Sequence, residues 1–351
     1  YESNTVSNSA TPFDKTVVPL LSSDPDDGTI KFTWDDHNMY GLTITGYQVS
    51  SKLYTASSWG AWESLSLTDS HQTPSTTQNV NDYYIVKNHT NGIKMSYKIR
   101  AVILNAGNTY YSDDSREAVA TPYTYASAPR LDSYVSSSNQ IVLNWYVPLD
   151  LGGLPLKRYE VSRNSNVWTD VTNSTTYSFN TDLVNGTSYT FRVRAVTDNS
   201  DNMNQISNVD TVYDIESTNV LVQEARPYDT PTITLNSVVS GDEQLTLNWS
   251  EPYLGGHPFD HYKIYYGGSS IDNIQSEDLS NTISSLDNGT SYVCKVEIYV
   301  KDENDNATTL LVSRLSNNKT NIPYVPAVAP KNVRSVPSDE SVRVSWDDLT
   351  T

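Results

Sequence analysis

The sequence is poor in cysteine and in basic residues. Cys294 is the one cysteine among 351 residues, so no disulfide forms within the chain, and this leaves the redox compartment undecided. Lys and Arg number 23 against 41 Asp and Glu, which gives a net charge of −18. A chain without a basic excess is a poor ligand for nucleic acid or for an anionic membrane surface. We therefore expect neither of these as a partner.

The sequence also lacks long apolar runs and the motifs of common catalytic sites. No stretch of 18 apolar residues occurs, which predicts no membrane span in this segment. There is neither a Gly-x-Ser-x-Gly elbow nor a glycine-rich phosphate loop. Of five histidines, His257 and His261 have a suggestive spacing, but Pro258 between them excludes a shared helix face. We predict no catalytic residue, no cofactor and no metal, and hence no enzyme.

An alternating apolar run that ends in tryptophan occurs four times. The runs are residues 30–34, 141–145, 245–249 and 342–346, and they end in Trp34, Trp145, Trp249 and Trp346. Strict alternation of apolar and polar residues is typical of a half-buried β-strand. The tryptophans lie 111, 104 and 97 residues apart, which is the size of a small domain. The sequence therefore predicts a tandem array of β domains.

Two tyrosine motifs follow each of the first three tryptophans. The first motif comes 13 or 14 residues later, in a second alternating run, and contains Tyr47, Tyr159 or Tyr262. The other follows an Asn-Gly pair and contains Tyr97, Tyr189 or Tyr292. Asn and Gly suit a tight turn because both tolerate positive φ. Each repeat therefore offers the same sequence of strand, strand, turn and strand.

These motifs together resemble fibronectin type III domains over nearly the whole chain. A leucine six residues before Tyr189 or Tyr292 resembles the tyrosine corner of Greek-key sandwiches, whose phenol hydroxyl bonds back to the backbone. The resemblance implies an all-β fold of tandem immunoglobulin-like, seven-stranded β-sandwiches arranged end to end. It also implies that the structural core residues are Trp34, Trp145, Trp249, Trp346, Tyr47, Tyr159, Tyr262, Tyr97, Tyr189 and Tyr292.

The first repeat departs most from this pattern. Its turn carries two extra residues and no clear leucine before Tyr97. It also contains an insertion-like stretch, residues 54–80, with Trp59 and Trp62, which we interpret as an exposed or edge-covering pair. In the third repeat the alternation places Cys294 on the inward face, aligned with Phe191 and Ile99, which predicts a buried and inert thiol.

Proline followed by an aromatic residue closes each repeat. Because proline fixes φ and lacks an N–H donor, it is expected to end the last strand and to stiffen the link, while the aromatic packs at the contact between domains. The predicted boundaries follow from these pairs. Residues 1–12 are the last strand of a preceding type III domain, residues 13–122, 123–227 and 228–324 are domains 1 to 3, and residues 325–351 are the start of a further, truncated domain.

Two kinds of surface site remain as weaker hypotheses. Asp302, Asn304 and Asn306 resemble the start of a calcium loop, but the glycine and the glutamate of an EF-hand are missing, so solvated turn residues are the favoured interpretation. Asn-x-Ser/Thr sequons permit glycosylation in a secretory setting without indicating it. The candidate acceptors are Asn88, Asn173, Asn306 and Asn318.

The predicted function is that of a non-catalytic structural or adhesive spacer. We expect part of a longer fibre of type III repeats that is extracellular, on a cell surface or on a virion surface. Its expected partners are another protein or a glycan at that surface and the neighbouring repeats of the same chain. Two alternatives stay open: an accessory spacer or binding region of a secreted carbohydrate-active enzyme, and a receptor ectodomain.

Overall fold

The fold is almost entirely β. The computed structural model describes residues 20–35, 43–65, 82–86, 88–105, 107–203, 214–217, 219–275, 279–304 and 310–347. The chain divides into two compact units. The first comprises residues 1–134, 143–177 and 190–223, and the second comprises residues 135–142, 178–189 and 224–351. Within the described residues the chain contains multiple antiparallel sheets, as the predicted tandem sandwiches require.

The strands form where apolar and polar residues alternate. In β10 (Gln140–Tyr146) and β18 (Gln244–Trp249), every second side chain is buried and the residues between them face partly toward solvent. This is the pattern expected of a strand with one face on a core. The tryptophan near the end of each run is the last inward residue, so the local period of two fixes which face it occupies.

The first sandwich comprises residues 20–120. Its first sheet has the strand order β1-β2-β5, and its second has the order β4-β3-β6-β7, with β8 also paired to β6. The strands are β1 Leu20–Asp26, β2 Thr29–Asp35, β3 Thr43–Leu53, β4 Glu63–Ser64, β5 Asp82–Val86, β6 Met95–Asn105, β7 Asn108–Tyr111 and β8 Ala118–Ala120. The predicted strand in residues 1–12 lies outside the described residues.

The second sandwich repeats this topology. Its sheets have the orders β9-β10-β13 and β12-β11-β14-β15, with β16 also paired to β14. The elements are β9 Arg130–Ser137, β10, β11 Leu156–Arg163, β12 Thr169–Val171, β13 Thr176–Phe179, β14 Tyr189–Asp198, the helix α1 Ser200–Met203, β15 Asp214–Glu216 and β16 Leu221–Ala225. Helix α1 is a single turn that follows β14.

The third sandwich has the same arrangement again. Its sheets have the orders β17-β18-β21 and β20-β19-β22-β23, with β24 also paired to β22. The strands are β17 Leu235–Gly241, β18, β19 Phe259–Tyr266, β20 Ser269–Ile274, β21 Ser280–Ser284, β22 Tyr292–Asp302, β23 Leu310–Leu315 and β24 Lys319–Asn321. A two-stranded hairpin follows, formed by β25 Arg334–Ser338 and β26 Ser341–Ser345. The predicted domain boundaries stay predictions.

Candidate functional site: junctions and strand faces

Three of the four repeated tryptophans lie inside a sandwich. Trp34, Trp145 and Trp249 are 2%, 3% and 2% exposed. Each ring contacts the tyrosine of the facing sheet, with ring centroids 5.0, 5.5 and 5.2 Å apart, a separation at which tilted and edge-on aromatic pairs attract. These tyrosines are Tyr47, Tyr159 and Tyr262, all of them buried. The Trp–Tyr pair is therefore the link between the two sheets of each sandwich.

Trp346 differs from the core position expected of it. Its side chain is 56% exposed, and it follows a hairpin whose residues are all exposed. A two-stranded hairpin has no second sheet to cover its apolar face, so the indole remains in contact with solvent. Burial of the other three tryptophans thus comes from the facing sheet and not from the strand itself.

The tyrosine corners form in the second and third sandwiches but not in the first. The hydroxyl of Tyr189 accepts a hydrogen bond from Val184 N at 3.0 Å, and that of Tyr292 accepts one from Asp287 N at 3.1 Å. In the first sandwich the Tyr97 hydroxyl lies 2.7 Å from His89 Nε2 instead. The register of β3 on β6 explains this difference.

Strand pairing assigns Tyr97 to a different position from the other two tyrosines. Tyr97 lies opposite Ser51, which comes four residues after the core tyrosine of β3. In the third sandwich, Cys294 of β22 lies opposite Tyr266, which likewise comes four residues after the core tyrosine of β19. The two extra residues of the first turn therefore move Tyr97 one inward place along the strand. The predicted alignment of Cys294 with Ile99 is wrong for the same reason, although Cys294 is buried and burial raises the pKa of its thiol.

Asp302 and Asn304, two of the three residues weighed as calcium ligands, form hydrogen bonds with the protein backbone. The side-chain amide of Asn304 bonds to both Arg226 N and Arg226 O, each at 2.8 Å, and Asp302 Oδ1 accepts a hydrogen bond from Asn304 N. Asn306 lies outside the described residues. Because Asn304 uses both ends of its amide on the backbone, its oxygen is already engaged by an N–H donor, which favours the interpretation as turn residues over that as a calcium ligand.

Asn202 makes the same contact one repeat earlier. Its amide bonds to Thr121 N at 2.8 Å and to Thr121 O at 3.0 Å. Thr121 and Arg226 each precede a junction proline, so in both cases the loop after the sixth strand of one sandwich holds the backbone that leaves the preceding sandwich. We call Asn202 and Asn304 the junction asparagines. Sequence reasoning missed them because Asn and Asp are also the usual residues of an ordinary turn.

The aromatic residue after the junction proline packs as the sequence suggests at the second junction. Tyr228 is buried and stacks on His257, with ring centroids 4.0 Å apart and planes 15° from parallel. His257 Nδ1 lies 3.0 Å from the carbonyl oxygen of Lys301. His261 lies 2.6 Å from Asp260, so the two histidines have separate partners. In the part of the chain that the structure describes, no group of His, Cys, Asp and Glu side chains is arranged to hold a metal ion.

Trp59 and Trp62 take part in cation–π stacks on the outer face of the first sandwich. Arg100 lies between Trp62 and Tyr111, at 4.2 and 4.1 Å from the ring centroids, and both its Nε and its Nη2 donate to Gln48 Oε1. Lys98 lies 4.5 Å from the Trp59 ring. Such contacts contribute on the order of 0.5–1 kcal/mol each at partly exposed sites. The tryptophan pair therefore covers the sheet, as the edge-covering interpretation proposes.

The lysines of this face also have acidic neighbours. Lys98, Lys94 and Lys52 lie 3.6, 3.4 and 4.0 Å from carboxylates, which belong to Asp114, Asp201 and Glu117. A surface whose cations are already neutralised offers little attraction to an anionic polymer. The stacks are better understood as a cover for the sheet than as a binding platform.

The same face of the second sandwich carries a buried ion pair. Glu160 is 4% exposed and is bound by Arg158 at 2.6 Å and by Arg194 at 2.6 Å. Arg194 also contacts Glu216 and stacks on Trp168, with its guanidinium carbon 4.3 Å from the ring centroid. Beside it, hydrogen bonds from Lys157 and Arg158 lower the pKa of Asp214.

At the corresponding pair of positions in the third sandwich, the acidic and the basic residue are exchanged. Strand pairing places Lys263 opposite Glu297, where the second sandwich has Glu160 opposite Arg194. The Glu297 carboxylate accepts hydrogen bonds from the hydroxyls of Tyr265 and Tyr299, at 2.7 and 2.9 Å. The charged side chains of these outer faces therefore have partners within the chain, and the three faces carry different charges.

Comparison with known proteins assigns the family. A model of the fibronectin type III domain matches residues 127–210 and 229–310, which cover most of the second sandwich and most of the third. These are tandem fibronectin type III domains. The first sandwich has the same strand order and the same Trp–Tyr core pair, and the three sandwiches are numbered domains 1 to 3 along the chain.

Two further comparisons add little to this assignment. The crystal structure of chicken CNTN1 FN1-FN3 domains is 16% identical, and the match covers 87% of this chain and 98% of that chain with a TM-score of 0.29. A search of curated proteins found no match. Among the described helices, none has the length and apolar character needed to cross a membrane.

Three of the candidate glycosylation sites lie on the surface of the three sandwiches. Asn88, Asn173 and Asn318 are exposed, and Asn306 lies outside the described residues. Asn185 and Asn288, which also begin sequons, instead hold their own turns by side-chain hydrogen bonds. Glycosylation of the three exposed asparagines stays a prediction.

Proposed function

We propose that this chain is a non-catalytic spacer with an adhesive role, part of a longer fibre of type III domains on an extracellular, cell or virion surface. The observation that carries the proposal is the pair of junction asparagines, Asn202 and Asn304. The side-chain amide of each one accepts a hydrogen bond from the N–H, and donates one to the carbonyl oxygen, of the residue before a junction proline. A chain that only displayed independent binding domains would not need such bonds, whereas a spacer needs links that resist bending.

The family and the charge support this proposal. Type III domains are generally non-catalytic modules of extracellular, adhesive proteins, and they mediate protein–protein interaction. The net charge of −18 opposes self-association of such domains at high local concentration. We propose that the partner is another protein or a glycan at the surface, contacted through exposed loops and strand edges.

Small-angle X-ray scattering of the whole chain tests the spacer function. A compact globule of this length has a radius of gyration of about 20 Å, whereas domains placed end to end give a markedly larger value. We expect the larger value, unchanged between low and high salt. A radius near that of the compact globule would contradict the spacer function, because the two ends of the chain would then not be held apart.

A further inference from the structure

A turn of domain 1 contacts a loop of domain 2, and the corresponding turn of domain 2 contacts a loop of domain 3. We call the Asn-Gly pair between the fifth and sixth strands the corner turn and the Gly-Gly pair after the core tryptophan the glycine loop. At the first junction Gly92 of the corner turn meets Gly153 of the glycine loop, and at the second junction Gly186 meets Gly256. Each of these pairs lies inside one of the two compact units.

The contact leaves no room for side chains. A Cβ atom added to Gly153 would lie 2.3 Å from Gly92 N, and one added to Gly186 would lie 2.4 Å from Gly256 O. Real Cβ atoms essentially never come within 3.0 Å of other heavy atoms. A side chain at Gly153, Gly186 or Gly256 would therefore overlap the facing backbone, and one at Gly92, where the nearest atom would lie 3.1 Å away, would force the facing loop to shift.

Hydrogen bonds join both sides of the contact to the linker between the two domains, which is residues 121–124 at the first junction and 226–229 at the second. Gly92 N donates to Pro122 O at 2.9 Å and Gly186 N donates to Pro227 O at 2.8 Å. From the next domain, the carbonyl before the contact glycine accepts from the linker: Thr124 N bonds to Gly152 O and Asp229 N bonds to Gly255 O, both at 2.8 Å. The linker is thus bound by the domain it leaves and by the domain it enters.

The corner turn is itself held to its own domain. Asn185 Oδ1 accepts a hydrogen bond from Asn139 N at 2.8 Å, and Asn91 Oδ1 accepts one from Gly28 N at 2.9 Å. The turn therefore cannot swing away from the hairpin that connects the first two strands. A displacement of the glycine loop would have to break backbone bonds and not merely rotate a side chain.

We infer that the corner turn is the docking surface for the glycine loop of the following type III domain, and that with the junction asparagine it locks consecutive domains together. This inference rests on the proposed spacer function, since it explains how the links resist bending. Contacts between domains of one chain are by default loose enough to permit relative motion. Here each link is bound on both sides and the backbones touch.

A third corner turn supplies the matched control. Gly289 has a φ of +83°, Gly186 has +82°, and Gly289 N donates to Pro323 O at 2.9 Å as Gly186 N does to Pro227 O. Asn288 Oδ1 likewise accepts a hydrogen bond from Glu243 N. However, a Cβ atom added to Gly289 would have no atom of the described residues within 4 Å, apart from its neighbours in the chain. Alanine therefore imposes the same local backbone strain at Gly186 and Gly289, and only at Gly186 does it also obstruct a docked loop.

The test compares Gly186→Ala with Gly289→Ala in the whole chain. Spin labels on cysteines introduced at Val135 in domain 2 and Val239 in domain 3, both exposed and both in the second compact unit, report the distance between the two domains by pulsed electron paramagnetic resonance. We expect a narrow distance distribution in the unsubstituted chain and in Gly289→Ala, and a distribution at least twice as wide in Gly186→Ala. The loss of thermal stability in Gly289→Ala measures the local backbone strain that both substitutions share.

A second variant keeps the test valid if Gly186→Ala does not fold. Asn304→Ala removes both bonds to Arg226 without any change of backbone conformation, and we expect it to widen the distribution as well. A narrow distribution in both Gly186→Ala and Asn304→Ala, or a wide one in the unsubstituted chain, would overturn the lock. A small radius of gyration together with narrow distances would contradict the spacer function and leave the lock intact.

Discussion

Replacing Trp249 with alanine is expected to lower the free energy of unfolding of domain 3 by about 3–5 kcal/mol, the usual cost of truncating a large buried aromatic residue. The indole is 2% exposed and contacts Tyr262 across the two sheets. Its removal leaves a cavity between β18 and β19, which close-packed neighbours fill only in part. Urea denaturation with hydrogen exchange of the β18 and β22 peptides as the readout measures the effect on domain 3 alone.

Trp346→Ala is the matched control for this substitution. The residue occupies the same place in the sequence repeat, but its side chain is 56% exposed. We expect a change within about 0.5 kcal/mol, as for most surface substitutions. Equal destabilisation by the two substitutions would show that Trp249 does not serve as the core residue of a separate sandwich.

Replacing Arg194 with methionine is expected to destabilise domain 2 by about 3 kcal/mol, because it leaves a buried carboxylate with one partner fewer. Glu160 is 4% exposed and depends on Arg194 and Arg158 for compensation of its charge. Arg158 remains in the variant, which keeps the effect at the lower end of the range for a broken buried pair. Urea denaturation at neutral pH measures the loss.

The double variant Glu160→Gln with Arg194→Met separates the charge from the packing. If the cost comes from the uncompensated carboxylate, its neutralisation should restore much of the lost free energy of unfolding. If the double variant is less stable than Arg194→Met alone, the loss of the stack on Trp168 accounts for the effect, and the ion-pair explanation fails.

The sequence predicts the strands and the cores because both follow from local alternation. Trp145 and Tyr159 each end or begin a run in which every second residue is apolar, so their inward positions are set by neighbours within the same strand. The fold class and the type III family follow from the order of these motifs, and both are confirmed. The spacer function, the domain boundaries and the site residues stay predictions.

The sequence does not predict what depends on register or on a neighbouring domain. Tyr97 moves out of the corner position because of two extra turn residues, and only the pairing of β3 with β6 reveals this. The role of Asn304 depends on Arg226, which lies 78 residues away. Likewise, the stack of Arg100 on Trp62 requires the insertion to fold back over β6. Contacts of this kind have no local sequence period.

The exchange of tryptophan indole protons with D₂O tests the central claim, that the repeated tryptophans fill the cores of successive separate sandwiches. The chain has seven tryptophans, and the indole nitrogens of Trp34, Trp145 and Trp249 are buried. The account predicts that three of the seven indole resonances in a ¹⁵N-correlated NMR spectrum persist long after the other four have exchanged. Loss of all seven at a similar rate, in a chain that is otherwise folded, would contradict it.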